Sequence, residues 1–148
     1  MKLKGLIFSI IVLAFLSSAI SVDRTIEVGK EAPKIETVDG TNVAADANTK
    51  GKTQVVSFWS PKKPASRIAN RNLSRQYGAD SNENVEFISI CIDSDDDLMR
   101  EVIKVDGIDS LKNYSYSQIS PKVFKAYDVE TTPRAFKISP EGIIMEIL

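Results

Sequence analysis

The chain has 148 residues, with 19 basic and 20 acidic side chains, a formal net charge of −1 and no histidine. That balance argues against nucleic acid as a partner, and the length fits one domain around one core. With Cys91 as the single cysteine, neither an internal disulfide nor a Ser-His-Asp or Cys-His nucleophile can form. Zinc, copper and haem lack their usual ligands, so neither metal nor cofactor is expected.

Met1 to Ala19 reads as a secretory signal. Lys2 and Lys4 form a basic start, Leu6 to Phe15 is apolar, and Ser17-Ser18-Ala19 offers small residues for cleavage. The apolar run is shorter than the roughly 20 residues of a membrane span, though an uncleaved anchor is the alternative. Cleavage removes two lysines and no acid, so the mature chain carries 17 basic against 20 acidic residues. It is expected to be exported, periplasmic or otherwise extracytoplasmic, and off the membrane once the signal is gone. Residues 20–30 are a short polar lead, and 31–148 form the domain.

Val28 to Ile35 reads as an edge strand turning at Asp39-Gly40, and Ala44 to Lys52 as a loop. The apolar run Thr53 to Trp59 suits a buried strand. Pro64 to Tyr77 has helical spacing: Ala65, Ala69, Leu73 and Tyr77 recur every four residues, proline suits the first turn, and Gly78 stops the helix. Val85 to Ile92 is a second buried strand. Asp95 or Asp96 caps a helix running to about Val105, with Leu98, Met99 and Ile103 inward. Ser120 caps a short helix from Pro121 to Tyr127. Ala135–Ile138 and Ile143–Ile147 flank a Pro140-Glu141-Gly142 turn and form an antiparallel hairpin. Long crossovers make the first strands parallel, whereas the hairpin is antiparallel. A mixed α/β sheet with helices on both faces follows.

Four motifs in order carry a resemblance. They are Val28-Gly29-Lys30-Glu31-Ala32-Pro33; Gly51-Lys52 with Val55-Val56-Ser57-Phe58-Trp59; Tyr127-Asp128-Val129 before Thr132-Pro133; and Phe136-Lys137-Ile138 with Glu141-Gly142. Over roughly Val28 to Leu148 they resemble the thioredoxin-like superfamily. The branch is that of exported thiol–disulfide oxidoreductases of the cytochrome-maturation type, overlapping the alkyl hydroperoxide reductase and thiol-specific antioxidant group. The resemblance implies a thioredoxin-like fold, here without the usual last helix after Leu148. It also implies a cis-proline loop at Thr132-Pro133 whose backbone pairs with a protein or peptide partner.

The family motif Ala-x-Trp-Cys-x-x-Cys-Arg follows Phe-Trp. Matching Phe58-Trp59 and Arg67 places Lys63 and Ser66 at the two cysteine positions. Thiol–disulfide exchange needs an attacking thiolate and a resolving thiol; an ammonium and a hydroxyl supply neither. Lys62 and Lys63 also put cations at a helix N-terminus, where the dipole favours anions. A Schiff-base lysine would need a depressed pKa that Pro61-Lys62-Lys63-Pro64 does not provide. The expected protein is therefore a thioredoxin-like binding or scaffold module without dithiol redox activity, and no residue is assigned a catalytic role. The alternatives are a thiol-dependent antioxidant or oxidoreductase, and a truncated or decaying copy.

Three further features have paired readings. Cys91 is either a peroxidatic thiol or a small buried hydrophobe, and its apolar strand favours the second. Asp93-Ser94-Asp95-Asp96-Asp97 lacks the glycine and distal glutamate of a calcium loop, so a strand end with a helix cap explains it. Arg67, Arg71 and Arg75 share a helix face, either solvated or joined with Lys62 and Lys63 in a basic patch for a partner.

Overall fold

A computed structural model describes residues 26–45, 51–78, 83–130 and 133–148. The signal segment 1–19 and the Thr131-Thr132 part of the expected cis-proline loop lie outside the described residues, as does the Thr132–Pro133 bond. A five-stranded mixed sheet runs in the order β3-β2-β1-β4-β5. Its strands are β1 (Thr53–Trp59), β2 (Val85–Cys91), β3 (Lys112–Tyr114), β4 (Arg134–Ile138) and β5 (Ile144–Ile147), with helices α1 (Pro64–Tyr77), α2 (Asp96–Asp106) and α3 (Pro121–Ala126) between them. Strand β1 pairs parallel to β2 from Thr53↔Val85 to Trp59↔Cys91, and antiparallel to β4 from Gln54↔Ile138 to Phe58↔Arg134.

Alternation along the strands sends successive side chains to opposite faces. One face gathers Val56, Phe58, Ile88, Ile90, Phe136 and Ile138 under α3 and Tyr127. Ring centroids lie 4.9 Å apart for Phe58 and Tyr127 and 5.1 Å for Tyr127 and Phe136, and the Tyr127 hydroxyl donates to the Pro33 carbonyl at 2.7 Å. The other face packs Trp59 and Cys91 against Met99, Val102 and Ile103 of α2. Fully burying each large apolar side chain contributes about 1.5–3 kcal/mol.

Helix α2 starts where Asp95 accepts from the Leu98 N–H at 3.1 Å and ends at Gly107, whose φ of 68° is the left-handed conformation glycine takes freely. Ser120 stands at the N-cap of α3, but its side chain makes no capping bond. Its N–H instead donates to the Glu36 carbonyl at 2.9 Å.

Two local expectations are corrected, and α1 shows an inner face that the spacing left open. The segment before Ile35 is not a sheet strand: it touches the sheet through the single bridge Glu31↔Ile143, and Gly29 N–H donates to the Ile144 carbonyl. Pro33 within it has no N–H to donate to a ladder. Strand β3 was not expected; three residues with no apolar alternation carry no strand signal, and its place at the sheet edge comes from pairing with Ile88–Ile90. In α1 the buried residues are Asn70 and Ser74, while Ala65 and Ala69 are exposed. The sheet also buries the short polar side chains of Ser57 and Ser89, and α1 buries Asn70 and Ser74 rather than its apolar stripe.

Candidate functional site

The site is the turn Ser60–Lys63 between β1 and α1, together with the segment leading into β4. Ser60 is fully buried; its N–H donates to the Ser66 hydroxyl at 2.9 Å, and its own hydroxyl donates to Asp93 at 2.5 Å. The Ser66 oxygen thus accepts the turn's backbone hydrogen bond and holds strand end and helix start together. Lys63 occupies the N-cap position with extended φ and ψ and makes no side-chain cap. Lys62 and Lys63 are both exposed, so cations rather than an anion crowd the helix N-terminus.

Cys91 is fully buried, with Sγ 3.5 Å from the Asp93 carbonyl. Burial pushes its thiol up to about 12, against a smaller downward pull from that hydrogen bond. A thiol kept protonated and inaccessible is a poor nucleophile.

The arginines are drawn apart from the lysines. Arg67 grips Asp106 of α2 with two bonds, Nε to Oδ2 at 2.9 Å and Nη2 to Oδ1 at 2.7 Å. Arg71 adds a third contact at 3.9 Å. The Asp106 side chain is 3% exposed against 33% for Arg67. The guanidinium holds the Asp106 carboxyl below its usual range, and the carboxylate in turn raises Arg67. Lys62 instead lines a cleft with Asp93, Ser94, Tyr116, Phe124 and Glu130. Of the expected basic patch, Arg67 and Arg71 therefore turn to Asp106 while Lys62 lines a separate cleft. Asp106 went unnoticed in the sequence; the available signal was a helix with three arginines and no acid, which needs a carboxylate from a neighbouring element.

Ser66 and Pro133 come together. Both line an open groove of about 270 Å³ whose other walls include Ala69, Leu73, Ala135 and Leu148. Leu148 is placed there by its N–H donating to the Ala135 carbonyl at 2.8 Å. Among the described residues no cluster of side chains could hold a metal ion, and Asp95 serves as the α2 cap.

This architecture is that of the thioredoxin-like fold. A thioredoxin-like protein from Parabacteroides distasonis superposes with a TM-score of 0.65 at 23% identity, over 82% of this chain and 87% of that one. A thiol-disulfide oxidoreductase from Bacteroides fragilis gives 0.63 at 23%, over 80% and 89%. A secreted disulfide oxidoreductase from Mycobacterium tuberculosis gives 0.59 at 20%, over 78% and 81%. The AhpC/TSA family model matches residues 28–147, and the chain belongs to that family. No curated protein matches it.

Proposed function

We propose that this protein is an exported thioredoxin-like domain that has no dithiol redox activity and works by binding a protein or peptide partner. The observation that carries the reading is the pair Lys63 and Ser66 at the positions the family resemblance assigns to the redox cysteines. In place of a resolving thiol stands a hydroxyl engaged with the Ser60 N–H. The single thiol of the chain, Cys91, is buried. The binding surface is the exposed end of the β1–α1 turn at Lys62 and Lys63, bordered by Arg67 and Arg71, together with the Thr132-Pro133 loop. A backbone edge beside such a loop suits a partner in extended conformation. The basic and apolar start at Met1–Ala19 supports export, as does the secreted Mycobacterium relative.

The rival reading is a thiol-dependent antioxidant or oxidoreductase, and what favours it is AhpC/TSA membership. Insulin reduction by dithiothreitol separates the two. The purified protein is expected to give no turnover above a Cys91→Ser control; turnover well above that control sinks the binding-module reading.

A further inference from the structure

A separate cleft of about 210 Å³ opens at the end of the sheet where β1 begins and β4 ends, away from the turn that leads into α1. Residues 31–35 form one wall and the turn at 139–142 another, with Gln54 and Tyr127 between them. Gln54 is out of pattern. Alternation puts it on the face of β1 that carries Val56 and Phe58 into the core, and it is itself only 7% exposed. Its Nε2 donates to the Ala44 carbonyl at 2.9 Å, whereas Oε1 has no partner among the described residues. Buried polar atoms are normally hydrogen-bonded, so an orphaned acceptor calls for a reason. A polar side chain where the pattern asks for an apolar one marks a functional or strained position.

We propose that this cleft binds a small alkyl cation, an ammonium or guanidinium carried on a short apolar stem. Charge sets the sign. Glu31 and Glu141 line the cleft against one ammonium, that of Lys34. Neither carboxylate has a cationic partner among the described residues. A hydrogen bond from the Ser139 hydroxyl holds the Glu141 carboxyl below its usual range, so it is ionised at neutral pH. Hydrogen-bond capacity sets the head group. Carboxylates and a carboxamide oxygen only accept, while ammonium and guanidinium only donate. The stem follows from the apolar part of the lining, Pro33, Ile35, Ile138 and Pro140. Size follows from the volume, which is below the roughly 300 Å³ where pockets for drug-sized ligands begin. The cleft shares no residue with the proposed partner-binding surface, so the two readings stand or fall separately.

The test follows the amide chemical shifts of the purified, isotopically labelled protein during titration with butylammonium, butylguanidinium, butyrate and butanol. Both cations are expected to give saturable shifts that include the Gln54 carboxamide. Butyrate and butanol should bind at least about tenfold more weakly. Gln54→Leu and Glu141→Gln should each weaken cation binding about tenfold, the order expected for losing one hydrogen bond to a charged group. Position 141 is exposed, so Glu141→Gln tests the site even where Gln54→Leu fails to fold. A short glycine peptide with one central lysine separates two sources of the same head group. Tighter binding than butylammonium supports the proposal with a protein side chain as the source, and weaker binding supports it with a free amine. The proposal is overturned by absent saturation with both cations, by butyrate or butanol binding as well as they do, or by either folded variant leaving their affinity unchanged.

Discussion

At Cys91 burial and chemistry act in the same direction. With its thiol pushed up to about 12, roughly one molecule in 10⁵ carries a thiolate at pH 7, against a few per cent for an ordinary exposed cysteine. Alkylation of the native protein should therefore be slow and should accelerate sharply in denaturant; rapid labelling in native buffer would contradict the burial. Cys91→Ala removes one buried heavy atom and should lower stability by about 1 kcal/mol, as read by urea unfolding. This residue was legible in the sequence, because Phe87-Ile88-Ser89-Ile90-Cys91-Ile92 leaves little room for an exposed thiol. Ser66, which only the resemblance places at a redox-cysteine position, was not legible as a hydrogen-bond acceptor, since its donor, the Ser60 N–H, is fixed only by the turn geometry.

Between elements, the Arg67–Asp106 contact joins α1 to α2. Asp106 is the last residue of α2, where the helix dipole disfavours an anion; the two guanidiniums of α1 offset that cost. Asp106→Asn should lose about 1.5–3 kcal/mol at neutral pH, the range for hydrogen bonds to charged groups. The pH dependence follows from the depressed folded-state pKa. The contribution is present above the unfolded value of about 3.9 and is lost as pH falls through the folded one. Urea midpoints of parent and variant should thus differ at pH 6 and converge towards pH 2; a constant gap would exclude the ion pair as its source. Period-four spacing marked α1 correctly as a helix, yet it did not reveal which face is inward. Ala65, Ala69, Leu73 and Tyr77 look like a core stripe, but the residues α1 buries are Asn70 and Ser74, and the sheet also buries Ser57 and Ser89. Such a choice is made by the partner surface, which no single helix encodes.

For the molecule as a whole, the mixed sheet was readable from the order of crossovers and hairpin, because connection length dictates strand direction. The three-residue edge strand β3 was not, since its assignment depends on pairing rather than on its own residues. The sheet's register also governs when the chain becomes a structure at all. The central strand β1 receives one partner from Val85 onward and the other only from Arg134–Ile138, close to the C-terminus. Pairing so distant in sequence has to overcome loop-closure entropy before any contact compensates it, which makes folding slow and late. A chain ending before Arg134 should be digested rapidly by protease, whereas the full-length protein should resist; a resistant truncated chain would show that β1 and β2 suffice. Under the export proposed above, such lateness would keep the chain open until Arg134–Ile138 has crossed, with β4 as the latch.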